Sequence, residues 1–198
     1  MDYSASKAFI LDKLERNLPT DLYYHGLHHT RDVLATTQVL CEEEKIDAHN
    51  TILLKTAALY HDAGFLRHHF NHEVLGCEIV REYLPEFGYT KTDIEKICGM
   101  IMSTKIPQSP KNNLEKILCD ADLDYLGRSD FKLIGDTLYK ELKAYEVIDT
   151  EERWNRMQVH FLEKHRFFTK TNQEKRRSGK LAHLAALRQV VAAYDDMV

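Results

Sequence analysis

Apolar residues recur three and four positions apart along nearly the whole of this 198-residue chain, the pattern of helices that each bury one face. Eight glycines and four prolines are about half the usual share of turn formers, so the expected fold is all-α with short connections. Ser4 should cap a first helix that carries Phe9, Ile10 and Leu14 and stops near Pro19. The segment Tyr23 to His29 should lead into a second helix with Val33, Leu34 and Leu40. A third is expected from about Asn50 to Asp62, ended by Gly64, and a fourth from about Asn71 to Leu84. Ile94, Ile97, Cys98, Ile101 and Met102 place a fifth. After a loop over Ile106 to Asn113, a helix is expected from Leu114 to Leu126, and three more near 130–146, 151–167 and 172–196. No repeat or long linker divides the sequence, so residues 1–198 read as one domain.

Composition narrows the function classes. Lys and Arg number 27 against 31 Asp and Glu, a net charge of −4 that gives no support for nucleic-acid binding. An apolar fraction of 43% supplies a real core. The four cysteines form no CxxC pair, so neither a cysteine zinc site nor a disulfide framework is expected. The amino-terminal residues lack the pattern of a signal peptide, and no apolar run reaches the roughly 18 residues of a membrane span. The expectation is a cytoplasmic protein without membrane partners.

The informative residues are ionisable groups on apolar stripes. Leu54, Ala57, Ala58, His61 and Asp62 share a face of the third helix, and Leu114, Leu118 and Asp122 are successive i, i+4 neighbours. His29 heads a line through Val33, Thr36 and Leu40, and His72 begins one through Leu75, Gly76, Ile79 and Tyr83. No Lys or Arg lies on those faces to offset two inward carboxylates, and an unpaired buried charge costs several kcal/mol. A divalent cation would offset them, because His and Asp form a mixed nitrogen and oxygen donor set suited to Mn, Fe, Ni, Zn or Mg. For each histidine taken singly, a hydrogen-bonded core imidazole is the competing explanation.

These residues carry a resemblance. The chain resembles the HD superfamily of metal-dependent phosphohydrolases, whose ordered signature is H…HD…D on a helical bundle. Tyr24-His25-Gly26-Leu27-His28-His29 matches the first element, Tyr60-His61-Asp62-Ala63-Gly64 the doublet, and Asp120-Ala121-Asp122-Leu123-Asp124 the last. His29 lies 32 residues before His61, and Asp122 lies 60 after Asp62. The match covers about residues 20–130, with further helices over 130–198. It implies His29, His61, Asp62 and Asp122 as ligands of one divalent ion (Mn, Fe, Ni, Co, Zn or Mg). Two-metal members use two further histidines. His72 matches the first, whereas Thr104 stands where the second would be, which favours a single ion.

The resemblance further implies hydrolysis of a phosphate ester or anhydride of a small molecule, a nucleotide being the favoured class, by metal-activated water. His72 and His25 are then the candidate proton donors. Glu73, with Asp120, is placed to orient an imidazole or the water, unless each is an ordinary solvated acid. Lys105, Arg31, Arg67 and Arg128 are candidate phosphate contacts, and Gln158 and His165 candidate substrate contacts on the stripe of Trp154, Phe161 and Leu162. The alternative is a catalytically weak HD module that binds metal or nucleotide in a regulatory role. His68 and His69 read as exposed, and the basic run from Lys164 to Lys180 as a solvated face.

Overall fold

Helix α3 (Ala48–Tyr60) buries most of its circumference beyond its first turn and therefore runs through the middle of its unit. Leu53, Leu54 and every residue from Ala57 to Tyr60 are fully buried. The computed structural model describes residues 1–196; the last two positions of the expected 1–198 domain lie outside the described residues. The chain forms two compact units, residues 1–122 and residues 123–198, and no strand occurs among the described residues.

In the first unit α3 is surrounded by α1 (Tyr3–Asn17), α2 (Leu27–Glu43), α5 (Lys91–Thr104) and α6 (Asn113–Asp122), while α4 (His72–Tyr83) packs on α5. Two short 3-10 turns, Ala63–Leu66 and Leu84–Phe87, precede and follow α4. A buried polar thread links three segments across this core. Tyr89 Oη lies 2.8 Å from Thr56 Oγ1 and 3.3 Å from Ser6 Oγ.

The first helix is capped by Asp2, whose carboxylate accepts from the Ala5 amide at 2.9 Å, rather than by Ser4. An ionised carboxylate at that position also meets the positive end of the helix, which a hydroxyl does not. Asp47 caps α3, and Thr90 with Asp93 forms a capping box on α5. The helix expected from Leu114 to Leu126 ends at Asp122 and gives way to a 3-10 turn, Asp124–Gly127.

The second unit holds that turn with α7 (Phe131–Ala144), α8 (Glu151–Lys164), α9 (Lys170–Lys175) and α10 (Arg177–Asp195). The expected helix over 172–196 is thus two helices, broken at Arg176, which turns its side chain onto a buried carboxylate. Asp124 accepts from Arg176 Nε at 2.8 Å and from Asn172 Nδ2 at 3.1 Å. Gly127 allows this close approach, because a Cβ there would stand 2.3 Å from the Arg176 carbonyl oxygen. Lys180 donates to the carbonyls of Leu162 and His165, the end of α8.

Candidate metal centre

The third helix stops at Tyr60, two residues before its expected end, and that early stop shapes the centre. Consecutive residues on a helix point about 100° apart. His61 keeps helical dihedrals, but Asp62 departs to φ −102°, ψ 7°. The carboxylate thereby comes within 3.1 Å of the neighbouring imidazole, Asp62 Oδ2 to His61 Nε2. Gly64 does not end the third helix, as the sequence suggested. It lies inside a 3-10 turn, and its role is proximity: a Cβ would sit 1.9 Å from the carbonyl oxygen of His72. Only a residue without a side chain lets α4 begin this close to the doublet.

His29, in the first turn of α2, and Asp122, the last residue of α6, complete the cluster. His29 Nε2 stands 3.1 Å from Asp122 Oδ1, 3.3 Å from His61 Nε2 and 3.6 Å from Asp62 Oδ2. His61 Nε2 lies 3.6 Å from Asp122 Oδ1. Donors held about 2.1 Å from one ion stand roughly 3.0–3.4 Å apart at octahedral or tetrahedral angles; the 3.1 Å and 3.3 Å separations fall in that range and the two of 3.6 Å just beyond it. Both imidazoles and Asp62 are buried.

Two details favour a cation over a purely hydrogen-bonded cluster. His61 Nδ1 is 2.9 Å from the Ala58 carbonyl, which can only accept, so Nδ1 carries the proton and the Nε2 lone pair faces the cluster. Asp62 Oδ2 is buried and accepts no hydrogen bond among the described residues. Without an ion, the cluster takes up a proton instead. Burial alone would lower the His61 pKa, but the charges of Asp62 and Asp122 push it up to about 9. Burial would raise that of Asp62, yet the imidazoles of His61, His25 and His29 hold it well below the usual carboxylate range.

His72 begins α4, and its Nε2 is 3.5 Å from Asp62 Oδ1 and 3.6 Å from Glu73 Oε1. Glu73 and Asp120 are both buried, not solvated acids at a helix edge. His25 stacks on Phe65 at 4.6 Å and lies 6.0 Å from the His72 ring, which packs on the same Phe65 at 4.4 Å. Thr104 donates its hydroxyl to the Ile101 carbonyl at 2.8 Å, which ties that hydroxyl into its own helix. On α2 the buried threonines are Thr30 and Thr37, whereas Thr36 is partly exposed.

The proposed substrate contacts are more scattered. Lys105 bonds Asn71 Oδ1 at 3.3 Å, one residue before His72. Arg67 is held by Glu78 and Glu82. Arg31 lines a groove that includes none of the cluster residues. In the second unit, Arg128 pairs with Asp130 at 3.0 Å and Asp124 at 3.6 Å. Gln158 donates to Asn155 at 3.2 Å, and the His165 ring packs against Phe161 and Phe167. Sequence reasoning missed Phe65 and the Ala58 carbonyl. Phe65 had a usable signal, four residues beyond His61 in an apolar run, whereas the carbonyl acts through backbone that no residue type announces.

Comparison with known proteins agrees with this geometry. No curated protein matches the chain. A crystal structure of a predicted HD superfamily hydrolase from an uncultured Thermotogales bacterium has the same fold, with a TM-score of 0.61 at 20% identity, covering 94% of this chain and 92% of that one. The HD domain model matches residues 26–124, half of the chain, from just before His29 to just past Asp122. The chain belongs to the HD domain family.

Proposed function

We propose that the protein is a metal-dependent phosphohydrolase acting on a small phosphate ester or anhydride, with His29, His61, Asp62 and Asp122 as the ligands of one divalent ion. The observation that carries this reading is the convergence of His29, His61 and Asp122, whose donor atoms all lie within 4.8 Å of one another, with Asp62 Oδ2, a buried carboxylate oxygen without a hydrogen bond, 3.1 Å and 3.6 Å from the two imidazoles. When bound, the ion supplies Lewis-acid character, making water nucleophilic near neutral pH and offsetting charge on the phosphoryl group.

The chain's own groups supply the rest. His72 is partly exposed, touches Asp62 and is backed by Glu73, so it can protonate a departing oxygen and be reprotonated from solvent. His25 shares the Phe65 face and is the second candidate donor. Lys105, which bonds Asn71 next to His72 in the chain, is the favoured phosphate contact. A nucleotide is the favoured substrate class on the family resemblance.

The test is phosphate release from a panel of nucleotides and other phosphate esters with Mn, Ni, Co or Mg. His61→Ala and Asp122→Ala should abolish both metal binding and turnover, and His72→Gln should lower turnover while the ion still binds. Stoichiometric metal with no hydrolysis of any ester would instead identify a regulatory HD module.

A further inference from the structure

A groove of about 380 Å3 opens between α1, α2 and α3. It falls within the size range of small-ligand pockets. Lys7, Arg31 and Lys55 line it, one from each helix, around the apolar side chains of Leu11 and Leu34, and no acidic residue is among its lining. None of the three cations has an Asp or Glu three or four residues away on its own helix. Among the described residues none pairs with a carboxylate. Elsewhere the helices routinely supply such partners, as in Arg16–Asp12, Lys132–Asp136 and Arg156–Glu152.

The arrangement is amphipathic. Lys55 stands over the Tyr3 ring, with Nζ 5.0 Å from its centroid. The Tyr3 hydroxyl is buried without a hydrogen bond, and burial, with a smaller contribution from Tyr89, keeps it protonated by pushing its pKa up to about 12. Three like charges along one apolar groove give it a positive edge that an anion would complement. We propose that this groove binds a small amphipathic anion, with a phosphate or carboxylate head among Lys7, Arg31 and Lys55 and an apolar body on Leu11 and Leu34. The site shares no residue with the His and Asp cluster and does not depend on the hydrolase reading.

Octyl phosphate and octanoate, with octanol as the neutral control, are titrated calorimetrically into the full chain in EDTA, and again into His61→Ala. One equivalent of at least one of the two anions should bind, and added salt should weaken it. Arg31→Glu and Lys7→Glu, checked for folding by circular dichroism, should each weaken binding at least about tenfold, whereas His61→Ala should leave it unchanged. Tighter binding of octyl phosphate assigns a phosphate head, and tighter octanoate a carboxylate. Binding of neither anion, equal binding of octanol, or affinity unchanged in folded Arg31→Glu overturns the proposal.

Discussion

Removing the metal and raising the pH should weaken the fold, because His61 is then the main compensation for two buried-side carboxylates. Its pKa in the folded chain is about 9 against 6.5 when unperturbed. Between those values the native state binds a proton that the unfolded chain has released, so stability falls as pH rises. Each tenfold gain in proton affinity corresponds to about 1.4 kcal/mol. The rise from 6.5 to about 9 therefore amounts to roughly 3 kcal/mol, lost progressively across that pH range. Asp62, held low, acts in the opposite sense: its contribution is complete above its unfolded value of 3.8 and is lost toward acid. The metal-free protein should thus be most stable between about pH 4 and 6.5. Urea denaturation in EDTA, followed by circular dichroism at half-unit pH steps, measures this directly, provided the urea dependence stays constant. His61→Gln isolates the group from the amino terminus and the thiols that titrate in the same window. With saturating metal the trend should reverse, since protons then compete with the ion. A flat profile in EDTA, or the same fall in His61→Gln, would refute the reasoning.

Three further outcomes follow from the geometry. Metal binding at pH 7 should release about one proton per ion, the one His61 carries in its place; calorimetry in buffers of different ionisation enthalpy reads this, and zero release contradicts the assignment. Gly64→Ala should cost about 3 kcal/mol or more, because a Cβ 1.9 Å from the His72 carbonyl oxygen forces backbone apart, and metal affinity should fall with it; an unchanged urea midpoint would exclude that contact. Phe65→Ala, which removes the buried ring on which both His25 and His72 pack, should cost roughly 3 kcal/mol and broaden the nuclear magnetic resonance signals of both imidazoles.

Helical periodicity made most of the fold legible. Ile94, Ile97, Cys98 and Ile101 lie buried along α5 as their spacing requires, because burial of an apolar stripe is the force that places a helix. Endings were less legible, because they depend on capping and on backbone carbonyls. Asp2 displaced Ser4 as a cap, and α3 stopped at Tyr60 although the apolar pattern continues through Ala63 and Phe65. The ordered histidines and aspartates pointed to one cluster. The buried state of Glu73 and Asp120 was hidden, since a carboxylate on a helix edge and one under a neighbouring helix have the same local sequence. Substrate contacts were the least legible, as Arg31 shows, because a long side chain leaves its helix in a direction that spacing does not define.

The helix ends at the centre carry a consequence for charge. His61 and Asp122 lie at carboxyl ends, of α3 and α6, while His29 and His72 lie in the first turns of α2 and α4. Aligned peptide dipoles leave about half an elementary charge at each terminus, negative at carboxyl ends and positive at amino ends. The backbone therefore favours a cation beside His61 and Asp122, while the amino ends behind His29 and His72 favour an anion, as the phosphoryl group of the proposed substrate would be.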